Sequence, residues 1–161
     1  MSNPNTSNVT RITKSTLVTT TITTETGPDG IAVDGTYCWV ANKDSNSVTR
    51  IKKSDSTTTI IAVGTNPKGV AVDETYVWVT NEGSNNVTRI KKSDSTTTLI
   101  AVGTAPKGVS VDATYVWVAN SGSDNVTRIT KSTSATTTIG VGTGPWSLGD
   151  MTGWAYDNYA R

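Results

Sequence analysis

Apolar and polar residues alternate in short bursts along this chain, and each burst ends at Gly, Pro, Asn, Asp or Ser. Alternation with a period of two places successive side chains on opposite faces of a strand. The stretch 68–102 shows the pattern most plainly. Residues 68–73 (KGVAVD), 76–81 (YVWVTN), 86–91 (NVTRIK) and 96–102 (TTTLIAV) each predict a strand. The breaks between them, at 73–75, 82–85, 92–95 and 103–106, carry the residue types that supply turn geometry.

This four-strand unit recurs. Val-Thr-Arg-Ile begins at Val9, Val48, Val87 and Val126, always 39 residues apart, and Pro28, Pro67, Pro106 and Pro145 keep the same interval. Residues 46–84 and 85–123 differ at only seven of 39 positions, which points to duplication of one unit. Four antiparallel strands in about 40 residues, repeated, predict propeller blades rather than a solenoid, since neither a helical period nor a leucine ladder is present. The expected architecture is a single all-β domain over 1–161. It is a β-propeller of four 39-residue blades at about 28–66, 67–105, 106–144, and 145–161 together with 5–27. In the last of these, strands at 8–14 and 18–24 join one at 154–158, so both termini complete one blade and no sheet edge is left open. Two closures fit: a four-bladed monomer, or half of an eight-bladed ring made by two chains.

Within the second strand, Tyr37 and Trp39, Tyr76 and Trp78, and Tyr115 and Trp117 share one face, while Val77 and Val79 point to the other. Both faces are expected to be buried between neighbouring blades, and Cys38, in the place of Val77 and Val116, to be an inert core thiol. Asp34, Asp73 and Asp112 stand at the start of the first hairpin turn, where an aspartate bonds the backbone ahead of it. Arg11, Arg50, Arg89 and Arg128 are expected to cover apolar surface with their stems. The Lys-Lys-Ser-Asp turns at 52–55 and 91–94 read as a solvated rim.

The sequences at 37–42 (YCWVAN), 76–81 (YVWVTN) and 115–120 (YVWVAN), each after Pro-x-Gly and before Val-Thr-Arg-Ile, resemble the bacterial YVTN β-propeller repeats. They are similar in style to NHL and virginiamycin-lyase-like propellers. The resemblance covers essentially the whole chain and implies the fold. It does not carry an activity, because propellers host many unrelated functions. The virginiamycin-lyase-like members rely on His and a metal, and this chain has no His.

Composition narrows the function further. With 14 basic against 13 acidic residues, the chain lacks the electrostatic footprint of a nucleic-acid or anionic-membrane binder. No apolar run approaches the ~20 residues of a membrane span, and the first residues do not read as a signal peptide. A soluble protein, cytoplasmic by default, is the expectation. Without His, the usual general base and the usual metal ligand are missing, so no enzyme, cofactor or metal is expected. Function is sought where the repeat has been edited, in 144–161. Trp146 stands where Lys68, Lys107 and Asp29 stand in the other units, Asp150 replaces a core Val, and Tyr159 and Arg161 replace loop residues. Trp146, Tyr159, Arg161, Lys68, Lys107 and Asp29 form a candidate binding patch for a protein, peptide or glycan. Asp150 is a candidate to face an axial ion or water. The alternative is a purely structural repeat in which the same aromatics seal the joint between the termini.

Overall fold

A computed structural model describes residues 1–3 and 5–149. It contains four antiparallel sheets and, as helix, a single 3-10 turn at Lys43–Ser45. Sheet 1 holds β1 (Ser2–Asn3), β2 (Asn8–Ile12) and β3 (Thr19–Thr23). Sheet 2 runs in chain order through β4 (Pro28–Val33), β5 (Tyr37–Asn42), β6 (Ser47–Lys52) and β7 (Thr58–Ala62). Sheet 3 repeats it with β8 (Pro67–Val72), β9 (Tyr76–Asn81), β10 (Asn86–Lys91) and β11 (Thr97–Ala101). Sheet 4 does so again with β12 (Pro106–Val111), β13 (Tyr115–Asn120), β14 (Asn125–Thr130) and β15 (Thr136–Gly140). These are four propeller blades. The expected second and third strands of the repeat match residue for residue, and the first and fourth differ by one residue at either end.

The turns follow from their residues. Asn46, Asn85 and Asp124, just before the third strand, adopt left-handed backbone with φ of 51–54°, which Asn and Asp tolerate better than most residues. The first strands lie side by side along the inner edge of the sheets. They approach so closely that a Cβ on Gly30 would collide with the Lys68 carbonyl oxygen, and one on Gly69 with that of Lys107. Glycine is the residue that permits this approach.

Each sheet packs its Tyr/Trp face against the Val/Ile face of the next. Trp39, Val48 and Ile61 of sheet 2 meet Val77, Val79 and Ile90 of sheet 3. Trp78, Val87 and Ile100 of sheet 3 meet Val116, Val118 and Ile129 of sheet 4 in the same way. Val9 and Ile22 of sheet 1 meet Val40 and Ile51 of sheet 2. The expected burial of both faces holds for these contacts. It is incomplete for the tyrosines, which are half-buried, and for Trp117 on sheet 4.

One difference from the sequence reading concerns the start of the chain. The strand expected at 8–14 is not the first in its sheet, as a start just before the third strand of the repeat would make it. Ser2 and Asn3 already form the end of a second strand, paired with Val9 and Asn8. Asn3 donates to Asn8 and Thr10 as Asn81, 78 positions later, donates to Asn86 and Thr88. The signal was the 39-residue register itself, which places Asn3 in phase with Asn42. The strand expected at 154–158, and with it the joining of both termini in one blade, lies outside the described residues.

Candidate functional site

The second residue of each inner strand varies between units, as Asp29, Lys68, Lys107 and Trp146, and the fold brings these positions into a row. The Lys68 ammonium lies 3.0 Å from the Asp29 carboxylate of the preceding sheet. Glu82, in the loop after β9, approaches Lys68 at 3.9 Å and Lys107 at 3.6 Å. The Lys107 ammonium in turn sits 3.7 Å from the centre of the Trp146 ring. Asp29, Lys68, Lys107 and Trp146 thus lie on one face, because the loop after the second strand and the entry to the first lie at the same end of each sheet. Tyr159, Arg161 and Asp150 lie outside the described residues.

Lys68, Lys107 and Glu82 are three-quarters or more buried, so their charges are held in place rather than swinging freely. Two ammonium groups alternate with two carboxylates, and the row is close to neutral. Trp146 ends it with 67% of its surface exposed. A cation against one part of an aromatic ring fixes the ring by attraction to its quadrupole. The remaining ring surface is apolar and open. Glu82 is the member that sequence reasoning missed. The signal was available, since Glu82 corresponds to Ser121 at one of the seven differing positions, but the neighbours that give it meaning come only from the fold.

The opposite end of the sheets carries the aspartates, and there each carboxylate is fully engaged. Asp73 Oδ1 accepts from the backbone N–H groups of Thr75 and Tyr76, and its Oδ2 accepts from the Trp78 indole at 2.9 Å. Asp34 and Asp112 repeat the arrangement with Trp39 and Trp117. Lys92 of sheet 3 reaches back to Asp34, and Lys131 of sheet 4 to Asp73, each at 3.3 Å. Burial raises the Asp73 carboxyl, but the Trp78 indole, the Tyr76 and Thr75 amides and Lys131 outweigh it and leave it below its ordinary value. The balance has the same sign at Asp34 and Asp112. These groups cap turns and tie sheets together.

The Lys-Lys-Ser-Asp turns are only partly the solvated rim expected. Lys52 and Lys91 pair with Asp55 and Asp94 in the open. The second lysine of each pair is used structurally: Lys53 donates to the Asp34 carbonyl, and Lys92 to that of Asp73. The arginines do more than cover surface. Arg50 lies 5.0 Å above the Tyr37 ring and donates to Ser95 of the next sheet, and Arg89 does the same with Tyr76 and Ser134. Cys38 packs at the edge of the cluster between sheets 1 and 2, where burial pushes its thiol up and keeps it protonated.

No family model and no curated protein matches this sequence. Solved structures do match it. A catalytically inactive virginiamycin B lyase from Staphylococcus aureus with quinupristin superposes with a TM-score of 0.79 at 20% identity, over 89% of this chain and 53% of that one. A streptogramin B lyase gives 0.76 at 16% identity, over 85% and 49%. The hydrazine synthase of Kuenenia stuttgartiensis gives 0.72 at 26% identity, over 85% and 42%. The chain thus has the β-propeller fold of these proteins and spans about half their length.

Proposed function

We propose that this chain is a non-catalytic binding propeller that holds a protein, peptide or glycan segment on the face of Asp29, Lys68, Glu82, Lys107 and Trp146. The observation that carries the reading is Trp146, two-thirds exposed yet held by the Lys107 ammonium. An exposed indole already positioned gives a ligand contact area at low entropic cost. The near-neutral row beside it suits a polar ligand that presents one apolar face, such as a sugar ring or a proline-containing segment. The absence of His from the sequence supports a role other than acid–base catalysis.

A second reading, a structural repeat with no dedicated ligand, draws on the same residue. Residues 146–148 run beside β12, with the Trp146 carbonyl 2.9 Å from where a Gly108 Cβ would stand, so Trp146 also belongs to a packed joint. The two readings separate on glycan and peptide arrays probed with the wild type and with Trp146→Ala. Binding that disappears in the variant while its thermal midpoint is kept supports the ligand face. A lowered midpoint with no array signal from either protein supports the structural reading and overturns the first.

A further inference from the structure

We infer that a second copy of this chain completes the ring, with sheet 4 of each copy receiving sheet 1 of the other. The inference stands on the packing of the sheets and is independent of the ligand reading.

The first support is continuity with an interface the molecule makes repeatedly. On the Tyr/Trp face, Ile61 and Ile100 are 6% exposed under the next sheet, whereas Ile139, in the same place on sheet 4, is 39% exposed and Val141 beside it 36%. On the Val/Ile face, Ile51, Ile90 and Ile129 are at most 2% exposed, whereas their counterpart Ile12 on sheet 1 is 47% exposed. Each sheet-to-sheet contact buries one face of each kind, and among the described residues of a single copy no sheet packs on one face of each kind. These two faces are complementary by construction, because they are the two halves of the contact already made between sheets 3 and 4.

The charges agree. Lys92 bonds Asp34, and Lys131 bonds Asp73, a sequence separation of 58 in each case. The next carboxylate in this ladder is Asp112, and the lysine in register on sheet 1 is Lys14, which is exposed. Docking sheet 1 of the second copy on sheet 4 brings Lys14 to Asp112 and extends the ladder across the joint.

A third observation is an edit at the joint. Arg11, Arg50 and Arg89 donate to Ser56, Ser95 and Ser134 of the following sheet. Arg128 would face residue 17, which is Leu where the other units have Ser, in the same left-handed backbone of φ 57°. Leu17 and Val18 are 75% and 59% exposed. In the joint they cover the stack of Arg128 on Tyr115, whose guanidinium carbon lies 4.6 Å from the ring centre. An apolar contact thus replaces a hydroxyl at this one position.

The course of the chain shows why the occupant is a second copy. Residues 146–148 continue past β12 in the direction set by β4, β8 and β12. Among the described residues, no buried cluster joins sheet 4 to sheet 1. Sheet 1 lacks an inner strand among the described residues, and a cavity of about 330 Å³ lies there, lined by Val9, Ile22, Ile31, Val33 and Cys38. When sheet 1 of the second copy docks on sheet 4, residues 146–148 take that inner place. Trp146 then stands next to Asp29 of the second copy, so the face carrying it is shared.

Light scattering after size exclusion tests this. The expected mass is twice 16.9 kDa. Ile12→Asp and Ile139→Lys alter residues that are exposed in a single copy, so each variant should fold, as a thermal melt will confirm, and each alone should run as a monomer. Mixing the two in equal amounts should restore the dimer, since one joint is then wild type and the other pairs Asp with Lys. A wild-type mass of one chain, as closure of a chain on itself would give, overturns the inference. So does an open series of larger species, or dimers that persist in both variants.

Discussion

Trp78 and Trp117 occupy the same place in successive sheets, yet one is fully buried and the other is half-buried. Their different cover should be measurable. Trp78→Ala removes a ring packed on both sides and is expected to cost about 3–5 kcal/mol in urea unfolding. Compared in the monomeric Ile12→Asp background, Trp117→Ala should cost less, since less of its area leaves water on folding of one copy. Equal losses would mean that the sheet 4 face is as covered as the one before it. The aromatic positions were legible in the sequence because spacing by two assigns a face. The bond from each indole to an aspartate was not, although the interval of five between Asp34 and Trp39 recurs at Asp73 and Trp78 and at Asp112 and Trp117. Alternation says which way a side chain points; it does not say what a turn folds back to meet.

At the level of the strand pair, the aspartate turn is the recurrent device. Asp34, Asp73 and Asp112 are each held below the ordinary carboxyl value by N–H donors that outweigh the cost of burial. A carboxyl whose folded value lies below its unfolded one stabilises the fold above the unfolded value, about 3.9, and that contribution is lost as pH falls through the folded value. The thermal midpoint is therefore expected to fall steeply below about pH 4. Asp73→Asn should flatten that dependence, as scanning calorimetry from about pH 5 to pH 2 would show. An unchanged slope would mean that other carboxylates dominate. Strand limits were readable here nearly to the residue because turn residues bracket every segment. The short β1 was not read, for two residues carry no alternation of their own.

For the molecule as a whole, sheets touch only their neighbours, so stability is a sum of sheet and interface contributions rather than one shared core. In the monomeric Ile139→Lys variant, amide exchange should be slowest in sheets 2 and 3, which are covered on both faces, and fastest in sheets 1 and 4. Uniform exchange across the four sheets would argue for a single cooperative unit. The number and kind of blades were plain from a period of 39, whereas closure was not. Identical faces fit any next sheet, whether from the same chain or another, and only exposure at Ile12 and Ile139 distinguishes these cases. Of the candidate face, the four inner positions were grouped in the sequence because they share one repeat position, at which Asp29 and Trp146 depart from Lys, and the bridging Glu82 was hidden until the loops were placed.

That each sheet presents the same two faces bears on how such a gene can change. Unequal recombination between the stretches encoding 46–84 and 85–123 adds or removes one unit in frame, and every contact at the new junction is one the protein already makes. Lineages can therefore drift in length without passing through a misfolded intermediate. Selection then acts on the few edited residues at the ends, where Leu17 and Trp146 decide which arcs are able to meet.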